Sequence, residues 1–308
     1  MVLLDHYGRY TASTREGFID YRSLRIKGIE EKVVIERGEA KYFQVISSLL
    51  RKYKPDYVFH LAALPLAKIQ NLNTEEALEG SVSSTSYFLD SLGQLQQESS
   101  YKTKRFVYAS SSMIYGDFQY TPADEKHPTA PKEIYGTVKL AGEVMTRGLS
   151  QFWGIDSSIV RPSAVYGPTD MNRRVSQIFL EKAMLGQKIE VNGADESLDF
   201  TYVKDIARGF VLAATRPEAI GETFNITTGK AVTLLEYVLE LKKHFPELEY
   251  QITERDAFRP KRGTLAIDKA RTLLGYEPQY DLTRGLSEYV NFVKEFHPQF
   301  PRDCTQIT

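Results

Sequence analysis

The sequence predicts an α/β fold built on a doubly wound parallel sheet, and two patterns support this prediction. In the first half of the chain, short apolar runs alternate with amphipathic stretches at helical spacing. Strands that alternate with helices in this way pair in parallel, with helices on both faces of the sheet. The motifs that could carry chemistry come directly after the apolar runs, which is where parallel sheets bind ligands.

Five apolar runs are predicted to form strands of this sheet: 2–5, 33–35, 57–63, 105–109 and 158–161. Helical patterns cover 45–50, 75–95 and the segment that contains Tyr135 and Lys139.

The alternation becomes less regular after Pro168, which indicates a smaller second domain of helices and short strands. Its predicted elements are 176–185, 188–191, 234–244 and 267–274, while 199–203 and 223–226 are interpreted as returns to the first domain. We therefore expect a first domain of residues 1–166 and 200–226, and a second domain of residues 167–199 and 227–308.

Composition narrows the class of protein. The 308 residues include 39 basic and 40 acidic side chains, a net charge of -1, which argues against nucleic acid or an anionic membrane as the main partner. Cys304 is the single cysteine, so one chain can form neither a disulfide framework nor a cysteine metal site, and we expect no metal. The absence of a signal-like or membrane-spanning stretch predicts a cytoplasmic protein.

Tyr135 and Lys139 stand four residues apart on a predicted helix, so their side chains share one face. A tyrosine has an unperturbed pKa of about 10, and lowering it to about 7 requires roughly 4 kcal/mol of preference for the phenolate. An adjacent ammonium and a positively charged ring could supply that preference. The alternative is a helical Tyr and Lys with no special role, which is common by chance.

Polar residues follow three of the predicted strands. A hydroxyl of Ser110–Ser112 could bind a substrate oxygen and exchange a proton with the tyrosine, or the serines could simply cap a turn. Asp5 could bind the two hydroxyls of a dinucleotide ribose, or be a turn aspartate. For His60, which precedes small residues, a structural role is the stronger interpretation.

With these residues in place, the chain resembles the extended short-chain dehydrogenases, in their NAD-dependent epimerase/dehydratase branch that acts on nucleotide sugars. The resemblance covers nearly the whole chain. It is carried by seven motifs in this order: Val58–Ala63, Val107–Gly116, Tyr135–Lys139, Arg161–Pro168, Asp199–Val203, Phe224–Ile226 and Lys269–Gly275. It implies a Rossmann-like fold, NAD as cofactor and a nucleotide-sugar substrate, with a UDP-sugar as the leading candidate.

The resemblance also implies roles for individual residues. Tyr135 would be the general base and acid, Lys139 would bind the nicotinamide ribose and lower the tyrosine pKa, and Ser111 would be the catalytic serine. Ser112 would be a second contact to the sugar. The remaining residues expected to contact the cofactor are Asp5, Glu39, Ala40, Leu61, Ala62, Ala63, Pro162 and Ser163.

The residues beside Ser111 narrow the reaction that the resemblance implies. Dehydratases of this family place Asp-Glu after the catalytic threonine, whereas this chain has Ser112-Met113, and decarboxylating members need a glutamate where Met113 stands. An NAD-dependent epimerase, inverting C4 through a 4-keto intermediate, is the leading interpretation, similar to those for UDP-glucose or UDP-glucuronate. The alternatives are a ketoreductase or dehydratase of the same family and a non-catalytic nucleotide-sugar-binding member.

The chain departs from the family pattern in three places. It contains no Gly-x-x-Gly-x-x-Gly, and Met1 aligns with the family's second strand, so we expect the first strand and glycine loop to be missing. Because the motifs that follow are intact, we favour truncation of the sequence over a real loss of the first strand and glycine loop. Leu198 replaces a usual arginine, and Ala164 stands at a substrate position that is often asparagine.

Three arginines could take over the substrate diphosphate, because arginine forks match phosphate well: Arg173, Arg259 and Arg262. A surface role for each is the alternative. Members of the family commonly form dimers through a four-helix bundle, so the resemblance implies a homodimer through helices near 75–95 and 135–153.

Overall fold

The computed structural model describes residues 1–6, 21–63, 74–172 and 174–296, so the predicted substrate residue Arg173 lies outside the described residues. Twelve strands are found in this part of the chain: β1 Val2–Asp5, β2 Val34–Arg37, β3 Tyr57–His60, β4 Arg105–Ala109, β5 Ser157–Pro162, β6 Val165–Tyr166, β7 Ile189–Asn192, β8 Ser197–Leu198, β9 Thr201–Tyr202, β10 Thr223–Ile226, β11 Val232–Thr233 and β12 Tyr250–Thr253.

The described residues also form nine α-helices, joined by short 3-10 turns. They are α1 Phe43–Tyr53, α2 Thr74–Ala77, α3 Ser84–Glu98, α4 Ile134–Trp153, α5 Val175–Met184, α6 Val203–Thr215, α7 Leu234–Lys242, α8 Asp268–Leu274 and α9 Leu282–Phe296. A π-helical segment, Leu78–Ser83, joins α2 to α3, so the predicted helix over 75–95 is continuous but irregular. None of the helices described is long and apolar enough to cross a membrane.

The main sheet has four parallel strands in the order β10-β5-β4-β3. All five residues of β4 are buried, as expected for a central strand covered on both faces. Phe106 and Tyr108 pack with α1 and α3, whereas Val107 and Ala109 pack with α6 and α8. Because alternate residues of a strand point to opposite faces, helices cover both sides. The predicted doubly wound α/β fold is therefore confirmed.

The first two strands form a separate sheet. β1 pairs with β2 in parallel, with Leu3 opposite Ile35, and no hydrogen-bonded strand joins this pair to the main sheet within the part of the chain described. Both strands still end at a polar edge, since the backbone N–H of Gly38 donates to the Asp5 carbonyl at 3.2 Å. The carboxyl ends of β1 and β2 are thus held side by side.

The two segments predicted to return to the first domain form strands in different sheets. β10 joins the main sheet beside β5, as the sequence indicates. β9 pairs instead with β6, and Tyr202 packs in a second hydrophobic core with Tyr166, Phe179 and Tyr237. The aromatic content of 199–203 explains the difference, because these rings fill the core formed by α5, α7 and α9. The proposed division of the chain into two domains stays a prediction.

His60 has the structural role that the sequence favoured. It is buried at the end of β3, with Nε2 3.1 Å from Thr85 Oγ1 and 3.2 Å from Ser84 Oγ, and its ring lies 5.0 Å from that of Phe88. Burial, with a contribution from the charge of Lys139, lowers the pKa of His60 to about 3. The imidazole is therefore neutral in the folded protein at neutral pH.

We expect His60→Leu to reduce the acid sensitivity of the fold. The unfolded chain protonates this histidine near the ordinary histidine pKa of 6.5 and the folded chain does not, so its contribution to stability is lost as pH falls below 6.5. Between about pH 7 and about pH 5 the wild type should lose about 2 kcal/mol more unfolding free energy than the variant. Urea unfolding at both pH values measures this, and equal losses would contradict the prediction.

Candidate active site

The site is organised by the close approach of α4 to the end of β4. A Cβ atom at Gly136 would lie 2.6 Å from the Met113 carbonyl oxygen, and one at Gly142 would overlap the Tyr108 hydroxyl. Only glycine at these two helical positions lets the backbone come this close. The first turns of α4 are thereby brought against the 3-10 turn Ser112–Tyr115, which we call the serine turn together with Ser110 and Ser111.

Tyr135 and Ser111 meet at this contact. Tyr135 is half-buried in the first turn of α4, and the Ser111 side chain lies near enough to its phenol to lower the phenol pKa. Burial raises the pKa of Tyr135, while the positive charge of Arg174 and the nearby Ser111 side chain lower it in part. The structure thus joins the two residues that the sequence predicted as proton-transfer partners, and it adds Arg174 to their surroundings.

Lys139 lies one turn further along the same face of α4. Its ammonium Nζ donates to the Ala109 carbonyl oxygen at 2.7 Å and lies 5.8 Å from the centre of the Tyr135 ring. Burial lowers the pKa of Lys139 to about 7. The positive charge that partly offsets the raised Tyr135 pKa in this structure is that of Arg174, because the Lys139 ammonium is directed to the strand end.

The serine turn begins with a side-chain cap. Ser111 has extended backbone geometry, and its Oγ accepts a hydrogen bond from the Met113 N–H at 3.2 Å. Ser112 is fully buried behind it. The capping role that the sequence offered as an alternative for these serines is therefore present. The Ser111 hydroxyl accepts this bond with a lone pair, so its proton stays available to a second partner.

Three groups of predicted cofactor residues lie at the carboxyl ends of parallel strands. Asp5, Glu39 and Ala40 follow the paired strands β1 and β2, with Nδ1 of His6 3.6 Å from Asp5 Oδ1. Leu61–Ala63 follow β3, where Leu61 is exposed. Pro162 ends β5 and Ser163 is buried directly after it.

Ala164, which follows the end of β5, has an unusual backbone conformation. Its φ of 35° lies in the left-handed region, which is uncommon for a residue with a side chain. Its carbonyl oxygen accepts a hydrogen bond from the Thr201 N–H at 3.3 Å, so this conformation connects β5 to β9. The usual asparagine side chain of this position is absent, and Leu198 lies half-buried against the second core.

The two described substrate arginines lie beside the start of α4. Arg259 Nη1 is 3.8 Å from Oε1 of Glu133, the residue that precedes α4. Burial lowers the pKa of Arg262 to about 10, the nearby charges of Glu133 and Glu196 raise it, and those of Arg259 and Arg174 lower it. Nε of Arg262 and Oε2 of Glu133 are buried without a hydrogen-bond partner. This is a charged, desolvated cluster two residues from Tyr135.

The sequence analysis missed Arg174, which belongs to this cluster. It precedes α5, donates through Nη1 to the Val165 carbonyl oxygen at 3.1 Å, and has a buried Nε with no partner. The signal was the arginine doublet at 173–174, of which only the first was selected. That Arg174 lies near the Tyr135 phenol is a property of the tertiary structure.

The fold and the site together define a class of protein. A chain with a doubly wound parallel sheet, a Tyr-x-x-x-Lys helix and a serine at the phenol has the architecture of an extended short-chain dehydrogenase. The model of the NAD dependent epimerase/dehydratase family matches residues 5–227. The protein belongs to this family, and NAD is accordingly its cofactor, as the sequence implied.

Individual relatives agree with this assignment. The chain is 32% identical over 216 residues to a putative UDP-glucose 4-epimerase of Methanocaldococcus jannaschii, covering 67% of this chain and 68% of that protein. An epimerase structure from Methanothermobacter thermautotrophicus superposes with a TM-score of 0.83 at 26% identity, covering 97% and 85% of the two chains. The UDP-glucuronic acid 4-epimerase of Bacillus cereus, solved with UDP-glucuronic acid and NAD, shares the fold at TM-score 0.82, 23% identity and 96% and 91% coverage.

The residues present fit NAD at its two riboses. The Asp5 carboxylate, at the end of β1, is an acceptor suited to ribose hydroxyls, and Lys139 is a buried donor suited to the second ribose. No Gly-x-x-Gly-x-x-Gly occurs among the 308 residues to receive the pyrophosphate.

We expect Lys139→Met to change the pH dependence of stability. The folded pKa of about 7 lies below the unfolded value of 10.5, so the cost of the buried ammonium is complete below pH 7 and is relieved as pH rises toward 10.5. Between about pH 6.5 and about pH 9, the unfolding free energy of the wild type should gain about 2 kcal/mol relative to the variant.

Urea unfolding of both proteins at the two pH values measures this gain. The exposed Lys102→Met is the matched control, because it removes an ammonium without desolvation and should follow the wild type. A constant difference between wild type and Lys139→Met across this range would contradict the assignment of a buried, easily deprotonated ammonium.

Proposed function

We propose that this protein is a nucleotide-sugar 4-epimerase that acts through a transient 4-keto sugar. The observation that carries the proposal is the proximity of the Ser111 side chain to the Tyr135 phenol, with the Lys139 ammonium on the same helix face. Epimerisation needs a proton acceptor, a hydroxyl contact and NAD, without a further acid–base pair. Ser112 and Met113, which follow Ser111, do not supply such an acid–base pair.

The reaction begins with a proton transfer. The Tyr135 phenolate takes the proton of the sugar 4-hydroxyl, and the Ser111 hydroxyl beside the phenol holds the sugar oxygen in line. NAD supplies the chemistry of accepting a hydride and returning it. Because burial raises the pKa of Tyr135, positive charge near the phenol is required for it to act as a base, and Arg174 provides part of this charge.

The diphosphate of the substrate fits the arginine cluster. Arg174, Arg259 and Arg262 bring three guanidinium groups to the start of α4, and two of them have a buried Nε without a partner. Guanidinium groups bind phosphate oxygens with paired hydrogen bonds, which would satisfy these atoms. In this proposal residues 167–199 and 227–308 hold the nucleotide sugar, and a UDP-sugar is the substrate of choice.

Incubation with UDP-glucose, UDP-glucuronate and catalytic NAD should interconvert one sugar with its C4 epimer, without net change in nicotinamide absorbance. Tyr135→Phe should lower kcat about 10²–10⁴-fold while the unfolding transition is kept, because only the proton acceptor is removed. Tyr57→Phe, at the opposite end of β3, is the matched control and should leave kcat unchanged.

Other results of these measurements would indicate other functions. Turnover that always consumes added NADH or NADPH identifies a ketoreductase. Release of water with a lasting 4-keto-6-deoxy product identifies a dehydratase. Calorimetric binding of the nucleotide sugar that is equal in wild type and Tyr135→Phe, with no turnover of any substrate, identifies a non-catalytic binding protein. Near-normal activity of Tyr135→Phe would refute the site itself.

We also propose a homodimer through α3 and α4. Two apolar residues eight positions apart on one face of α4 are strongly exposed, Val144 at 60% and Phe152 at 74%. Two such faces packed together would remove these side chains from water.

Val144→Glu should shift the protein from dimer to monomer in sedimentation velocity, since it would bury a carboxylate in an apolar contact. Val211→Glu, 53% exposed on α6, is the matched control and should leave the oligomeric state unchanged. A Val144→Glu protein that sediments like the wild type would exclude this face as the dimer contact.

A further inference from the structure

A fully buried ion pair lies beneath the serine turn and has no role in the chemistry described above. Glu143 of α4 is 0% exposed and Arg161 of β5 is 4% exposed. Arg161 donates twice to this carboxylate, from Nε to Oε1 at 2.8 Å and from Nη2 to Oε2 at 2.8 Å. This two-point geometry fixes the direction as well as the distance between the two side chains.

The ion pair holds both ends of the serine turn. At the first end, the Ser110 hydroxyl donates to Glu143 Oε1 at 2.6 Å. At the other end, Arg161 Nη1 donates to the Tyr115 hydroxyl at 2.9 Å, and that hydroxyl donates to Asn225 Oδ1 on β10 at 2.7 Å. The four residues between Ser110 and Tyr115, Ser111 among them, are therefore tied at each side to one pair of charges.

The same ion pair is part of the helix that carries the phenol. Tyr135, Lys139 and Glu143 are spaced by four residues, so they follow one another along one face of α4. Lys139 bonds the Ala109 carbonyl and Glu143 bonds the next residue, Ser110. The ion pair thus contacts both the helix that carries the Tyr135 phenol and the turn that carries the Ser111 hydroxyl.

The energetics of the pair favour a role in positioning. Burial would raise the pKa of Glu143, but the hydrogen bonds and charge of Arg161 outweigh it, so this pKa lies below its ordinary value. Burial would lower the pKa of Arg161, and its bonds to Glu143 and the Tyr115 hydroxyl raise it above the ordinary value. Both groups are charged at neutral pH. Burying two charges has a desolvation free energy that offsets most of their mutual attraction, so such a pair adds little net stability.

We propose that the Glu143–Arg161 ion pair is a positioning device that sets the separation between the Ser111 hydroxyl and the Tyr135 phenol. The consequence for catalysis rests on the proposed function, since it assumes that these two groups share the transferred proton. The consequence for the phenol itself does not, because the nearby Ser111 side chain influences the Tyr135 pKa with or without turnover. Glu143 and Arg161 touch no reacting atom and act through the turn and the helix.

The test replaces both charges by apolar side chains of similar length, in Glu143→Met/Arg161→Met. We expect this double variant to unfold within a few degrees of the wild type, because an apolar pair can replace a buried ion pair without loss of stability. Its kcat should fall at least about tenfold with little change in KM, since substrate binding is kept and alignment is lost. Arg161→Lys, which keeps the charge without the fork, should give a smaller loss.

A second readout does not require turnover. The nearby Ser111 side chain lowers the pKa of Tyr135, so its displacement in the double variant should raise the phenol pKa. Ultraviolet difference titration of each protein against the same protein with Tyr135→Phe isolates this phenol from the other tyrosines. If the ion pair had only a structural role, its replacement would leave the Tyr135 phenol pKa unchanged.

Two controls are offered by the same chain. Arg147 reaches Glu143 Oε2 at 2.7 Å from a half-exposed position, and Arg147→Ala should leave kcat and the phenol pKa unchanged. Asp205 of α6 is a fully buried carboxylate paired with Arg208 outside the site, so Asp205→Asn should lower stability without changing either quantity.

The outcomes separate the two proposals. A folded double variant with wild-type phenol pKa overturns the positioning role, whatever the protein catalyses. A shifted pKa in a protein that epimerises no sugar supports the positioning role and rejects the proposed function. If the double variant does not fold, Arg161→Lys with an unchanged phenol pKa and kcat overturns the role in its place.

Discussion

The structure depends on how closely α4 lies against the end of β4. Two glycines in the helix, at 136 and 142, remove the side chains that would keep the backbones apart. Once they are in contact, successive turns of one helix face meet the strand end: Tyr135 lies beside the Ser111 side chain, Lys139 bonds the Ala109 carbonyl and Glu143 bonds the Ser110 hydroxyl. A single larger side chain at either glycine would move all three contacts together.

Burial then decides the electrostatics of the site. The same desolvation raises the pKa of Tyr135 and lowers that of Lys139, since in both cases it disfavours the charged form. The two groups are thereby brought toward neutrality rather than toward a preformed phenolate–ammonium pair. A protein that uses such a tyrosine as a base needs further positive charge, and Arg174 at the start of α5 contributes it from the other core.

The two cores meet at this point. β10 returns to the main sheet and places Asn225 on the Tyr115 hydroxyl, while β6 and β9 lead into the aromatic core around Tyr166 and Tyr202. Arg174 and Arg262 belong to the segments flanking that second core, yet both influence groups at the start of α4. The charged cluster at the start of α4 thus exists only because distant parts of the sequence are folded onto one edge of the sheet.

The sequence by itself determined the α/β class, the parallel strands and the pairing of Tyr135 with Lys139, because these follow from local periodicity and spacing. It also indicated the structural role of His60 and the family, through motifs in a fixed order. Tertiary structure alone decided that Arg174 lies near the phenol and that β9 leaves the main sheet. It also decided that Glu143 and Arg161 brace the serine turn. These properties depend on contacts between residues far apart in the sequence, such as the bonds from Arg161 to Glu143 and to Tyr115, which span 18 and 46 positions. A single sequence carries no periodic signal for such contacts.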